Sequence, residues 1–200
     1  EKNSREVFAG LEISENKELC ETWMNQWPIV FLTFKDVDGL NFRSAYEQLV
    51  FQISELYKKY HYLLDCAAID EDDKAMFRKL KAREADETLV TRSISLLMRM
   101  LETYYGKTVI LLMDEYDVPI AKASGNDYYS QMLAVIRGMM STALKDNTSL
   151  KFAVITGCLR VAKESIFTGT NNFVSDTISN SGLDEYFGFT QSEVDRLLLD

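Results

Sequence analysis

Val109-Ile110-Leu111-Leu112-Met113-Asp114-Glu115 decides how the rest of this chain is read. Five apolar residues run without alternation and stop abruptly on two carboxylates. A run of this length and composition reads as a strand, and its lack of alternation reads as cover on both faces. Burying a carboxylate is costly unless a cation or hydrogen-bond donors compensate. Two adjacent acids at the carboxyl end of such a strand therefore point to a metal or a proton-transfer task. The plainer reading is a strand that ends in a polar turn, Asp114 to Asp117.

The flanking sequence supplies the partners of that strand. Upstream, Leu89, Val90, Ile94, Leu97, Leu101 and Tyr104 recur at helical spacing, and Gly106 closes that helix. Further back, Pro28-Ile29-Val30-Phe31-Leu32-Thr33-Phe34 reads as a second buried strand. The helix after it is marked by Phe42, Tyr46, Leu49, Val50, Ile53, Leu56, Tyr57 and Tyr60, with Asn41 as its cap. Val7 to Ile13 reads as a short helix and turn. Asp70-Glu71-Asp72-Asp73 has no EF-hand spacing and reads as a solvated helix start, where acids suit the positive end of the helix. The basic residues after it, Lys74, Arg78, Lys79, Lys81 and Arg83, read as a solvated face. Downstream, Tyr129, Met132, Leu133, Ile136, Met139, Met140 and Ala143 mark a helix whose methionine stripe reads as core. Lys151-Phe152-Ala153-Val154-Ile155-Thr156 is a third strand, and Thr190-Gln191-Ser192-Glu193 has the capping-box spacing that opens a last helix. Strand, helices, strand, helix, strand is the order of an α/β fold with a mainly parallel sheet and crossover helices. Function in such sheets gathers at the carboxyl ends of the strands.

Apolar residues followed by Asp-Glu form the Walker B pattern of nucleoside triphosphatases. In that chemistry the Asp supports Mg²⁺, and the Glu orients or deprotonates the attacking water. Asp114 is then the metal candidate and Glu115 the catalytic carboxylate. The strand beside Walker B ends in a polar residue that senses the γ-phosphate, and Thr156 stands at that place in Thr156-Gly157-Cys158-Leu159-Arg160. Arg160 offers a guanidinium that matches phosphate oxygens two at a time. The plainer readings are a Thr156 hydroxyl that caps its own turn and an ion pair of Arg160 with Glu164. Gly106-Lys107-Thr108 imitates the end of a phosphate loop, G-x-x-x-x-G-K-[ST]. The first glycine of that motif would fall on Leu101, and the triplet precedes a strand instead of opening a helix.

Composition removes other classes. The 200 residues carry 22 Lys and Arg against 31 Asp and Glu, a net charge of −9. That balance does not support nucleic acid as a partner, nor a polybasic membrane surface. No apolar run approaches the roughly 18 residues that span a bilayer, and Glu1 to Arg5 is too polar for a signal peptide. Cys20, Cys66 and Cys158 are odd in number, far apart and without C-x-x-C spacing, so a zinc site or disulfide framework is not expected and a reducing cytoplasm is. The single histidine, His61, rules out H-E-x-x-H chemistry and reads as a surface or half-buried side chain.

Four segments together resemble the bacterial AAA-ATPase-like proteins, a P-loop family often fused to a C-terminal PD-(D/E)XK nuclease-like region. They are Trp27 to Phe34, the family's second strand; Gly106 to Ile120, its Walker B block with Asp114-Glu115-Tyr116-Asp117 and Pro119; Thr156 to Phe173, its sensor region; and Phe187 to Val194, the block that follows. Thr170 stands where the family usually has an apolar residue. The resemblance implies a three-layer sandwich, a P-loop NTPase-like core lacking its first strand and phosphate loop. It implies Asp114 as the Mg²⁺-supporting acid, Glu115 as the catalytic carboxylate, Thr156 as the sensor and Arg160 as a further site residue.

The whole chain, 1–200, is then expected to be one domain fragment, the Walker B and sensor half of an ATP-hydrolysing core. Its start at Glu1 without Met, and its end inside an apparent helix at Leu197 to Asp200, agree with a piece of something longer. Mg²⁺ and ATP are implied for the full-length parent. Alone, the chain is expected to bind ATP weakly or not at all and not to turn it over, because most triphosphate affinity comes from the phosphate loop. The missing strand would lie beside the sensor strand, so its absence leaves a free edge that invites self-association. Two other readings stand beside this one. One is a non-catalytic interaction or regulatory module with the same fold. The other is a metal-dependent hydrolase using Asp114, Glu115 and Asp117 with Asp176 or Asp184.

Overall fold

A computed structural model describes residues 4–158, 174–177 and 189–199. Two compact units divide the chain, Glu1–Gly169 and Thr170–Asp200.

In the first unit three strands, β1 (Ile29–Thr33), β2 (Val109–Asp114) and β3 (Leu150–Ile155), form a parallel sheet in the order β1-β2-β3. Helices α1 (Lys17–Trp23), α2 (Phe42–Lys59), α3 (Glu71–Ala82), α4 (Glu87–Thr91), α5 (Ser93–Tyr105), α6 (Val118–Ala123) and α7 (Tyr129–Leu144) accompany it. The fold is α/β, with the all-parallel open sheet that the alternation of elements predicts, and it is consistent with a P-loop-like three-layer core. In the second unit, α8 (Gln191–Leu197) opens with the expected capping box: Thr190 and Glu193 satisfy each other's backbone N–H groups.

Local chemistry explains most boundaries. Asn41 caps α2 by accepting from Ser44 N, while Ser44 Oγ accepts from Asn41 N. Asp70 caps α3 by accepting from Asp72 N at 2.8 Å, so the acidic run is a helix start as expected. Gly106 adopts φ 64°, the left-handed conformation that ends α5.

Three expectations need correction, and one further helix appears. The span from Leu89 to Tyr104 is two helices, α4 and α5, meeting at Arg92. Thr142 Oγ1 donates to the Thr91 carbonyl at 2.6 Å, a tertiary bond that periodicity does not contain. The stretch after Asp117 becomes α6, with Pro119 in its first turn, where a missing N–H does no harm. Near the N-terminus, Ser4–Phe8 and Glu12–Glu15 are 3₁₀ turns and α1 follows them. Within the basic run, Lys74 is buried, and its ammonium reaches Glu71 Oε1 at 2.8 Å.

The two faces of the sheet differ. Val30, Leu32, Leu111 and Met113 point to one face and are buried. Ile29, Phe31, Phe152 and Val154 point to the other, and Phe31 and Val154 are 48% and 47% exposed. Topology explains the asymmetry. Both crossovers, β1 to β2 and β2 to β3, step in the same direction, and right-handed crossovers of that kind lay their helices on one face. On the second face, Trp23 of α1 packs edge-on against Phe152 with ring centroids 5.6 Å apart. The central strand is the better covered, since Ile110 is buried and Leu112 is half-buried.

Candidate functional site

The carboxyl ends of the three strands bring Thr33, Asp114 and Thr156 into one row. Thr33 and Asp114 are register partners across β1 and β2. Thr156 follows β3 directly, and its hydroxyl donates to Asp114 Oδ1 at 2.5 Å. Asp114 is held from both sides, because its carbonyl accepts from Phe34 N at 3.0 Å. Side chains alternate along a strand, so this polar row stands on the same sheet face as Phe31, Leu112 and Val154. The open apolar face therefore ends in a carboxylate flanked by two hydroxyls.

Glu115 is half-buried and turns the chain away from β2. It adopts φ 54°, a left-handed conformation that costs a residue with a side chain about 1–2 kcal/mol. Several bonds hold it there. Its carbonyl accepts from Val118 N at 3.1 Å, Tyr116 N donates to Thr156 O at 3.2 Å, and Thr156 N donates to Met113 O at 2.9 Å. The next two residues are buried, Asp117 to 2% exposure. The Asp117 carbonyl accepts from Ile120 N and Ala121 N, which starts α6. Strain concentrated beside a carboxylate pair at strand ends is a common mark of a functional site.

Sequence reasoning named Asp114, Glu115 and Thr156, and the structure brings these three together. Arg160 lies outside the described residues. The sequence gives Thr33 no role beyond its strand, because the register that sets it beside Asp114 comes from pairing. Nothing local marks Gly157, yet a Cβ there would lie 2.5 Å from Asp117 Oδ1 and 2.8 Å from the Tyr116 ring. Asp176, in the second unit, accepts a hydrogen bond from Thr177 N, and Asp184 lies outside the described residues. Among the described residues, no three His, Cys, Asp or Glu side chains gather as a metal cage.

A single carboxylate still suits Mg²⁺, which takes hard oxygen donors, keeps several waters and is commonly held by one or two carboxylates plus phosphate oxygens. Asp114 gives one oxygen to Thr156 and has a second to offer. The donor set thus fits the metal that Walker B chemistry implies.

The chain is 24% identical over 192 residues to an uncharacterized protein in the vnfD 5′ region of Azotobacter chroococcum mcd 1. The match covers 96% of this chain and 32% of that relative, so the chain spans about a third of the relative's length. No solved structure matches the chain significantly. No helix among the described residues is long and apolar enough to cross a membrane. The AAA-ATPase-like family model, described as a predicted AAA-ATPase, matches residues 1–167, and the chain belongs to that family.

Proposed function

We infer that the chain is the Walker B and sensor half of an ATP-binding and ATP-hydrolysing core. The observation that carries this reading is the Thr33, Asp114 and Thr156 row, with Glu115 turned out beside it, at the edge of an open apolar sheet face. An apolar face of this kind, rimmed by polar groups, marks a surface that another element covers. Whatever covers it comes to rest next to Asp114, the place where a phosphate-binding segment is needed.

Each residue then has a task. Asp114, fixed by Phe34 N and Thr156 Oγ1, presents its remaining oxygen to Mg²⁺. Bound there with ATP, Mg²⁺ supplies charge that neutralises the phosphate oxygens. Glu115 orients the attacking water and accepts its proton. Thr156 reports the state of the phosphate through the hydroxyl it shares with Asp114, and Arg160 supplies positive charge. The free cysteines Cys20, Cys66 and Cys158 support a reducing, cytoplasmic setting. The outer edge of β3 has no strand partner among the described residues, which supports self-association of the isolated chain.

The test is hydrolysis and thermal shift with Mg²⁺-ATP, on the 200 residues alone and on the full-length protein. In the full-length protein, ATP raises the melting temperature, as a ligand of the folded state must. Glu115→Gln lowers turnover on the order of 10²–10⁴-fold, the usual contribution of a general base. Asp114→Ala abolishes turnover. The 200 residues alone show neither shift nor turnover. Turnover by the isolated chain that vanishes in both variants would overturn the fragment reading. A full-length protein indifferent to ATP would overturn the ATPase reading.

A further inference from the structure

We propose that Gly157 is a positioning residue for the Asp114-Glu115 turn, a role that rests on reading those two carboxylates as the hydrolytic pair. Its α-carbon is the surface against which the turn is cast. A Cβ at 157 would lie 2.5 Å from Asp117 Oδ1, 2.8 Å from Tyr116 Cε1 and 2.9 Å from Tyr116 Cδ1. Separations under 3 Å are not tolerated without movement, and the neighbours here are a ring and a carboxylate that are both buried. Gly157 has no positive φ in need of glycine. Its contribution is the absence of a side chain.

Consequences follow along the chain. Tyr116 and Asp117 seated on Gly157 fix the residues directly after Glu115. Tyr116 N donates to Thr156 O, one residue before Gly157, so the same contact closes the turn onto the sensor strand. Glu115 sits between this seat and the end of β2, in a left-handed conformation that a side-chain-bearing residue keeps only when its surroundings impose it. A side chain at 157 displaces Tyr116 and Asp117 and releases Glu115 toward ordinary backbone angles. That moves the carboxylate away from Asp114 while β2 stays in register.

The experiment pairs amide hydrogen exchange with kinetics in the full-length protein, using Gly157→Ala and Tyr116→Leu. The second variant empties the seat instead of overfilling it, so it decides the matter where the first fails to fold. The expected result is exchange at least tenfold faster in segment 114–118, with exchange in β1 and in residues 109–113 of β2 unchanged. Turnover of Mg²⁺-ATP falls at least tenfold per folded molecule, with KM held. Wild-type exchange in segment 114–118 for both variants would overturn the proposal. So would acceleration spread evenly through the sheet, which would make Gly157 a packing residue only. Absence of hydrolysis in the wild-type protein would remove the ATPase reading, while the exchange measurement still decides whether Gly157 holds the turn.

Discussion

Tyr46 and Tyr57 stand on the same helix and have opposite fates. The Tyr57 hydroxyl is buried and donates to Ser93 O at 2.6 Å, tying α2 to the start of α5. The Tyr46 hydroxyl is buried and has no hydrogen-bond partner among the described residues. Losing a satisfied buried bond destabilises, whereas removing an unsatisfied group relieves a desolvation cost. Tyr57→Phe is therefore expected to lower stability by about 1–2 kcal/mol, and Tyr46→Phe to leave it unchanged or raise it. Urea melts of both variants check this, and the same sign for both would contradict it. Burial, reinforced by Glu87 and Asp86, also pushes the Tyr46 phenol from 10.0 up to about 12. The folded state thus favours the neutral phenol. Its contribution is fully present below pH 10.0 and is lost as pH rises toward about 12. Tyr46→Phe is expected to flatten that alkaline loss in melts between neutral pH and pH 12.

At the scale of the element, α2, α3, α4 and α8 begin on side-chain caps, from Asn41, Asp70, Asp86 and Thr190. Asn41 and Ser44 form a reciprocal cap on the longest helix, α2, whose buried stripe of Leu49, Ile53, Leu56 and Tyr57 faces the core. Asn41→Ala is expected to cost about 1 kcal/mol and to leave the rest of the fold intact, and an unchanged melting midpoint would contradict it. Both facts were legible because capping and periodicity are local. The break between α4 and α5 was not. Leu89 to Tyr104 keeps helical spacing across it, and the cause is Thr142, 51 positions from the Thr91 carbonyl it holds.

At the scale of the whole first unit, the sheet is sided. All crossover helices gather on one face because the chain steps in one direction through β1, β2 and β3. The other face leaves Ile29, Phe31, Phe152 and Val154 exposed, beside the outer edge of β3. Exposed apolar surface next to an open strand edge drives association. Light scattering of the 200 residues across concentrations is expected to show dimers or larger species. Val154→Lys, a charge on that edge, is expected to shift them toward monomer. A strictly monomeric chain at every concentration would rule out this use of the edge.

By itself the sequence determined the strands, most helices, the parallel α/β class and the strand-end positions of Asp114, Glu115 and Thr156. Each follows from a short-range pattern: an apolar run, a 3.6-residue period, a cap, or carboxylates at the end of a run. Only the tertiary structure decided that Thr33 joins Asp114 and Thr156, that Gly157 is the seat of Tyr116 and Asp117, and that one face of the sheet stands open. Register, close approach and sidedness arise between segments up to 123 positions apart, from Thr33 to Thr156. Backbone pairing and crossover handedness fix them, and no local run of residues records either one.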